Sequence, residues 1–455
     1  PNNTFQQNNL KNLVISNTNN VTGVTLADTL DVYRSVTFGT GGRKLSTGGF
    51  LSLKSTATET AWLGTMTASN SIVGDVTVER YIPDHAKAWQ LLATPASGQT
   101  VNASWQEGNT PLSTALNPGY GTIITANYAG AGFDIIGGAG PSMMVYDTVA
   151  RTFLGIPNTN IPIYNRKGYM IFIRGNRTVT GIASPATSTN LRIKGTLATP
   201  AAPPPVISMS ANTFESVGNP YASAIDLTAL NLTGGVQDVF YVWDPKLTTA
   251  PSAYGFGAYQ TFTRNGAEYD VTPGGGSYPS GSCKTIESGQ AFFIRAPLAA
   301  GSLTFTENCK VGGSRDVHRV PAKQISQLRT NLYVFSGNDR VLIDGNMVQF
   351  DRSYSNSIDM FDAVKIGNTG ENLGISRNGE LLVVDRRMPV QQTDTIFFNT
   401  GKLRIKQYQL EVMPQKMAQE GLEAYLEDSY LQTFTAISLH DTTRVSFNVV
   451  NVPGS

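Results

Sequence analysis

A seven-residue phrase that occurs twice constrains the fold of this chain more than any other feature. The phrase is GYMIFIR in Gly168–Arg174 and GQAFFIR in Gly289–Arg295. Each copy follows a turn that contains a proline, Pro95 in the first and Pro220 in the second, and 79 and 75 positions separate that proline from the closing arginine. Such similar spacing predicts two copies of one β-rich module, whose loops differ in length while the strands are kept.

A second shared segment lies between the proline and the phrase. It is an apolar run that ends in an aromatic residue and an aspartate, MMVYD at 143–147 and FYVWD at 240–244. We therefore expect the two modules to superpose. The arginine that closes each phrase, Arg174 or Arg295, ends a strand whose two faces are both apolar and is expected to reach solvent or a carboxylate.

Short strands in quick succession are predicted for residues 1–83. They are Leu13–Ile15, Val24–Leu26, Leu30–Val32, Val36–Phe38 and Phe50–Leu53, followed by a longer alternating strand within Gly74–Pro83. The connections are too short for a hairpin between every pair, whereas the rungs of a parallel β-ladder place each strand over the last. The ladder is the favoured interpretation, and a small sandwich is the alternative.

The repeats and the distribution of charged residues divide the rest of the chain into three regions. The two modules are expected at 84–198 and 199–314. Residues 1–314 hold 36 charged residues, while 315–455 hold 31 in less than half the length, which marks a domain boundary. Strand-like runs separated by turn signals such as Asn378–Gly379 predict an antiparallel β-sandwich over 315–455. The predicted fold class is therefore all-β: a parallel, helix-like ladder, two repeated modules and a C-terminal sandwich.

Composition excludes several classes of function. Lys plus Arg (34) nearly equals Asp plus Glu (33), so the chain has no large excess of positive charge that would attract a nucleic acid. No run approaches the roughly 18 apolar residues of a membrane span. The glycine-rich loop at 273–281 lacks the Gly-Lys-Ser/Thr ending of a phosphate loop, and no cofactor is expected.

No catalytic constellation converges in the sequence, so an enzyme is not expected. His85, His318 and His440 lie in separate regions and in no metal-ligand or triad pattern. Four aspartates have no EF-hand spacing and are interpreted as solvated loop acids rather than a calcium site; they are Asp339, Asp344, Asp351 and Asp359. Trp105, between Ser104 and Gln106, is the tryptophan expected to be exposed and able to stack on a sugar.

The two cysteines, Cys283 and Cys309, admit three interpretations: a structural disulfide, a redox pair or half of a metal site. Their separation of 26 positions fits none of the close-pair zinc spacings, which favours the disulfide. Closing such a loop would stabilise the fold by about 3 kcal/mol. Disulfides persist in oxidising compartments, so this interpretation favours an exported protein.

Several segments carry a resemblance to a known family; they are Val76–Pro83, Ala88–Leu92, Trp105–Gly108, Pro118–Gly121, the two Phe-Ile-Arg strands, Tyr425–Leu431 and Thr442–Phe447. They resemble segments of large secreted surface proteins of the Bacteroidota that the type IX secretion system exports. The last two are similar to the sandwich that precedes the sorting domain of those proteins. Neither an export signal nor a sorting domain is in this sequence, and cleavage at both ends or a partial chain is the expected explanation.

The resemblance implies an extracellular or cell-surface location and an adhesin-like role. It also implies O-glycosylation in the pattern Asp-Ser/Thr followed by a small or aliphatic residue or threonine. The candidates in this chain are Thr29, Thr148, Thr395 and Thr442. Only those that are exposed are expected to carry glycan.

The expected function is that of an extracellular structural or adhesive protein whose partners are other copies of itself. A ladder that starts near residue 10 would leave an unpaired strand edge and an uncovered apolar rung at its open end. The uncharged segment Thr4, Phe5, Gln6 and Gln7 is the candidate donor of a strand to the sandwich of another copy, which would give a head-to-tail fibre. The alternatives are a module that binds surface carbohydrates and an accessory region of a secreted glycan or peptide hydrolase.

Overall fold

The computed structural model describes residues 8–19, 21–84, 87–114, 116–136, 138–181, 184–247, 256–278, 283–312, 326–419 and 421–451. The chain divides into two compact units, residues 1–236 with 284–316 and residues 237–283 with 317–455. The regular structure of the described residues is almost entirely β, with short 3-10 turns and no α-helix. Accordingly, no helix in these ranges has the length and apolar character needed to cross a bilayer. The four regions expected from the sequence stay predictions.

The N-terminal strands are short. They are β1 (Asn9–Ile15), β2 (Val24–Thr25), β3 (Leu30–Phe38), β4 (Lys44–Ser46), β5 (Leu51–Leu53), β6 (Trp62–Leu63), β7 (Ser71–Val73) and β8 (Val76–Ile82). Apolar residues alternate with polar ones, as in β5, where Leu51 and Leu53 are buried on either side of half-buried Ser52. This period-two pattern turns one face of each strand towards the core.

The N-terminal strands stack in parallel, which confirms the predicted ladder. One stack has the order β1-β3-β5-β8 and the other β2-β4-β7. Partners such as Leu30 and Leu51, or Leu51 and Val76, are 21 and 25 positions apart, so each turn of the ladder takes a similar length of chain. One detail differs from the prediction: residues 30–38 form one strand rather than two.

The repeat region contributes the next group of strands. They are β9 (Ala88–Leu92), β10 (Ala96–Ser97), β11 (Met143–Asp147), β12 (Thr152–Gly155), β13 (Tyr169–Ile173), β14 (Thr189–Leu197), β15 (Ile207–Met209), β16 (Thr213–Gly218), β17 (Ala224–Asp226), β18 (Asn231–Gly234), β19 (Val239–Asp244), β20 (Ala258–Asn265), β21 (Glu268–Thr272), β22 (Thr285–Ile286), β23 (Ala291–Ala296), β24 (Gly301–Thr304) and β25 (Lys310–Val311), with 3-10 turns at Leu227–Ala229 and Glu307–Cys309.

The two copies of the repeat use equivalent strand pairs. In the first copy the strand before Pro95, β9, pairs antiparallel with the phrase strand β13; in the second, the strand before Pro220, β16, pairs antiparallel with β23. The copies also contact each other, because the Ala93 amide donates to Gly289 O at 2.9 Å. A Cβ on Gly218 would lie 2.6 Å from Ala93 Cβ, so only glycine allows this approach.

The second unit has a meander and a large mixed sheet. The meander is β19-β20-β21, and the sheet strands are β26 (Ser326–Ser336), β27 (Asp339–Phe350), β28 (Ala363–Val364), β29 (Asn372–Arg377), β30 (Glu380–Arg387), β31 (Phe397–Gly401), β32 (Gln407–Gln415) and β35 (Thr443–Asn448), with a separate hairpin of β33 (Ala424–Asp428) and β34 (Thr433–Ile437).

The large sheet has the order β31-β29-β30-β27-β26-β32-β35. Its pairs are antiparallel, as the predicted sandwich requires, except that β27 and β30 run parallel. Leu332, Val334 and Tyr408 form a core on one face, and Leu426 of the hairpin packs against it. The hairpin thus supplies part of the second layer of the sandwich.

Candidate functional site: the open end of the ladder

Aliphatic columns run through the ladder perpendicular to its strands. In one of them Leu10 of β1 pairs with Val32, Val32 with Leu53, and Leu53 with Val78 of β8. Val32, Leu53 and Val78 are 0%, 1% and 3% exposed, but Leu10 is 40% exposed. The column is therefore covered along its length and open to solvent at β1, as expected for an uncovered apolar rung.

The backbone edge of β1 is open as well. Among the described residues β1 pairs only with β3, so one side of the strand has no partner. Residues 9–12 are exposed, and Val14 is 60% exposed. An edge of this kind presents unpaired N–H and C=O groups, which favour pairing with another strand.

The opposite end of the ladder is closed. The strand β14 pairs antiparallel with β8 over seven positions, from Thr189 to Gly195, and β10 pairs with the far side of β14. Leu191 and Ile193 of β14 are buried among the core residues of the ladder. The first repeat thus covers the end at β8, and the end at β1 is the one that is open.

Charge does little to protect the open edge. Lys11, the one charged residue of β1, forms an ion pair with Glu59 at 3.2 Å, and the two side chains are 59% and 38% exposed. A surface pair of this kind contributes about 0–1 kcal/mol. The predicted donor segment of Thr4, Phe5, Gln6 and Gln7 lies outside the described residues.

A charge cluster lies where the segments of the family resemblance meet. Glu79 of β8 binds Lys54, and Glu107 accepts three hydrogen bonds of 2.7, 3.0 and 3.1 Å from Arg192 of β14. The ring of Tyr120 lies close to both cations, with its centroid 5.7 Å from Lys54 Nζ and 4.1 Å from the Arg192 guanidinium. The cluster holds the segment 105–121 against the outer face of β8 and β14.

The electrostatics of this cluster indicate a structural role. Burial raises the pKa of Glu107, although its hydrogen bonds and charge interaction with Arg192 oppose the shift. Burial alone would lower the pKa of Lys54, but the hydrogen bond and charge of Glu79 outweigh it and raise the pKa overall. Each of the two carboxylates is thus bound by a cation of the same unit.

The cavity next to the cluster is too small for a ligand. Its lining includes Glu79, Thr94, Trp105 and Gly289, and its volume is about 10 Å³. A space of this size has room for about one water molecule. The buried faces of β8 and the first repeat therefore form a packed interface between elements of the first unit.

Trp105 corrects one expectation, and Arg174 is buried rather than exposed to solvent. Trp105 is 2% exposed and packs edge-on against Tyr169 at 5.9 Å, so it is not available to stack on a sugar. Arg174 is buried, with its guanidinium 4.9 Å from the ring of Phe172 and an Nη1 contact of 3.5 Å to Ile123 O. Its side chain is therefore buried inside the first module and does not reach solvent, and a contact with a carboxylate stays a prediction.

The predicted disulfide is wrong. No bond joins Cys283 and Cys309. Cys309 is fully buried, and burial raises the pKa of its thiol to about 11. A disulfide requires Cβ atoms about 3.5–4.5 Å apart, and a separation of 26 positions along the chain does not fix that distance.

The glycosylation candidates differ in exposure. Thr29, Thr395 and Thr442 are exposed, and Thr148 is half-buried in the turn after β11. Thr29 lies beside the open end of the ladder, where its Oγ1 accepts a hydrogen bond of 3.4 Å from Asn8. Their modification stays a prediction.

Acidic residues do not assemble into a metal site in the described ranges, where no group of three His, Cys, Asp or Glu side chains is arranged to ligate an ion. Asp344 is fully buried, at 2.7 Å from Lys365 Nζ, and accepts a hydrogen bond of 2.6 Å from the Leu373 amide. The interpretation of Asp344 as a solvated loop acid is therefore wrong. His85 and His318 lie outside the described residues.

Residues 141–443 match the model of a family described as a domain of unknown function, DUF8693. The chain belongs to this family. The matched region contains the second half of the first repeat, all of the second repeat and nearly all of the large sheet of the second unit, whereas the ladder precedes it. No curated protein and no solved structure gives a significant match.

Sequence reasoning anticipated an open apolar rung but missed the exposed hairpin of β33 and β34. Tyr425, Tyr430, Leu431 and Phe434 are each more than half exposed. The signal was present in the sequence, because Phe434 and Ala436 alternate with threonine in a five-residue strand without charge.

Proposed function

We propose that this protein is an extracellular structural and adhesive protein whose copies associate head to tail at the open end of the ladder. The proposal rests on the exposure of the side chains in one column of the ladder, which rises from 0% at Val32 to 40% at Leu10. Beside Leu10 lies an edge of β1 that no described strand covers. Covering that edge with a strand from another copy would pair its backbone and bury its apolar rung.

The proposed contact is heterologous, since a ladder has one open end and its opposite end is closed by β14. Head-to-tail contacts of this kind produce rings if the rotation between copies closes and filaments if it does not. Filament formation also suits a chain of low charge content, 15%, which has little net charge to keep copies apart. The extracellular location rests on the resemblance to secreted surface proteins.

The proposal assigns the chain no catalytic role. Support comes from the buried charge pairs of the ladder and the second sheet, Glu79 with Lys54 and Asp344 with Lys365, in which each carboxylate is bound by a cation of the same unit. Such groups hold strands together and are unavailable to a substrate.

A single pair of variants tests the proposal. Val14→Lys places a charge on the open edge, whereas Val149→Lys makes the same change at a valine that is 91% exposed in the turn after β11. We expect the wild-type protein and Val149→Lys to form ordered polymers in light scattering and negative-stain microscopy, and Val14→Lys to stay monomeric. A monomeric wild type at all concentrations, or polymers of Val14→Lys equal to those of the wild type, would overturn the proposal.

A further inference from the structure

The hairpin of β33 and β34 has one face towards the core and one towards solvent. Tyr425 pairs with Ala436, and Glu427 with Phe434, so these four residues share the outer face. Phe434 is 67% exposed and Tyr425 is 57% exposed. Leu426, on the other face, packs against the core of the large sheet. The hairpin is therefore anchored through one face and presents aromatic side chains on the other.

The strand β34 also has an open edge. In the described part of the chain its partner is β33, and the two form a separate two-stranded sheet. Its sequence, Thr-Phe-Thr-Ala-Ile, carries no charge, and residues 433–436 are all exposed. Threonine, phenylalanine and isoleucine favour extended structure. An uncharged, exposed edge strand of this composition is suited to pair with a further strand.

The strand β34 differs in charge from β31 and β35, the two edge strands of the large sheet. The segment 421–443 holds four acidic residues, Glu423, Glu427, Asp428 and Asp441, and no Lys or Arg. By contrast, β35 carries Arg444, and β31 is followed by a basic segment that contains Lys402, Arg404 and Lys406.

The open end of the ladder has the complementary charge. Residues 8–46, which span β1 to β4, hold four basic residues and two acidic ones, and Glu59 adds a third acidic residue at this end through its ion pair with Lys11, which leaves one net positive charge. Lys11 lies on β1 itself, with 59% of its side chain exposed. An acidic hairpin is therefore attracted to this end, whereas β31 and β35 would bring like charges to it.

We infer that β34 of one copy adds to the open edge of β1 in the next copy. The inference rests on the proposed head-to-tail association and names the strand that makes the contact. Five residues of β34 span about 17 Å, at 3.4 Å per residue, which is comparable to the exposed edge of Asn9–Val14. The outer face of the hairpin, with Phe434, would cover the apolar rung that Leu10 leaves open.

The main test compares two phenylalanines on edge strands of the same unit. Phe434 of β34 is 67% exposed and Phe397 of β31 is 65% exposed, so lysine replaces an exposed ring with little effect on folding in either case. We expect Phe434→Lys to raise the concentration needed for polymer formation at least tenfold. Phe397→Lys is expected to stay within twofold of the wild type. Circular dichroism of both variants checks that each is folded.

A charge reversal tests the pairing of the two surfaces. Lys11→Glu and Glu427→Lys each place like charges at the proposed contact, so each variant alone is expected to polymerise less well than the wild type. Mixed together, the two variants can form contacts in which the reversed charges again attract, and we expect the mixture to polymerise better than either. A mixture no better than its components would contradict the inference.

The outcomes separate this inference from the proposed function. If Val14→Lys is monomeric while Phe434→Lys polymerises like the wild type, association at the ladder stands and the role of β34 is wrong. If the wild type never polymerises, both are wrong. If Phe434→Lys polymerises normally but loses binding on a glycan array, the hairpin is a carbohydrate-binding surface and the inference is overturned.

Discussion

The two ends of the ladder are built from the same column of side chains but differ in what covers them. At one end β14 and β10 extend the sheet beyond β8, and Val78 is 3% exposed. At the other end Leu10 occupies the same column position on β1 and is 40% exposed. A parallel ladder does not terminate itself, so its properties as a monomer or a polymer depend on the strand that covers each end.

The largest difference is expected from truncation within one column. Leu53→Ala removes a fully buried side chain and should cost about 2–5 kcal/mol in the free energy of unfolding. Leu10→Ala, at the open end, should cost about 1 kcal/mol or less in dilute, monomeric protein. Urea denaturation of both variants measures the contrast. Equal losses would mean that Leu10 is covered in the monomer and that the two ends do not differ.

The closed end can be disturbed through Gly195, which pairs with Val76 and lies against β10. A Cβ at this position would be 2.7 Å from the carbonyl carbon of Ser97, so Gly195→Ala forces β10 away from β14. We expect a loss of about 1–3 kcal/mol. Lys194→Ala, on the exposed side of the same strand, serves as the control and should change stability by about 0.5 kcal/mol or less. Similar losses of stability in the two variants would show that β10 is not tightly packed against β14.

A smaller, pH-dependent effect is expected from Glu107 at the closed end. Burial raises the pKa of its carboxyl above the ordinary 4.5, so the folded protein keeps a proton that the unfolded chain releases. The free energy of unfolding should therefore fall as the pH rises through the interval just above 4.5. In Glu107→Gln this decrease should disappear, while Glu380→Gln, at an exposed position, should retain it. A profile unchanged by Glu107→Gln would contradict the assignment.

The smallest effect concerns glycosylation, which would act on the open end without changing the fold. A glycan on Thr29 would stand beside Asn8 and obstruct the edge of β1. We therefore expect Thr29 to be unmodified in polymers, while Thr395 and Thr442 carry any glycan present. Peptide mass spectrometry of polymer and monomer fractions from the native source measures this. Modified Thr29 within polymers would show that the contact lies elsewhere.

The sequence predicts the ladder well, because the pattern that specifies it is local. Alternation within strands such as β5, and turns every few residues, identify both the strands and their stacking. By contrast, the strand that closes the end of the ladder at β8 comes from a distant part of the sequence. Val76 pairs with Gly195 across 119 positions, and no periodic signal links the two segments. The sequence therefore reveals where the ladder begins but not how its far end is closed.

The same limit explains the errors at individual residues. Trp105 lies between two polar residues and was expected to be exposed. Its neighbours are also buried, because Ser104 Oγ donates to Thr100 O at 2.7 Å and Gln106 Nε2 donates to Asp134 at 2.9 Å. Polar residues that find internal partners are as buried as apolar ones. The partner of Gln106 lies 28 positions away in the sequence, where no local pattern reveals it.

The central claim is that the edge of β1 is free in the monomer and covered by another copy in the polymer. Hydrogen exchange of peptides that cover β1 and β3, measured over a range of protein concentrations, tests it most directly. The account predicts that amides of residues 9–14 exchange rapidly in dilute protein and become protected as polymers form, while those of β3 stay protected throughout. Rapid exchange of β1 amides that persists in fully formed polymers would contradict it.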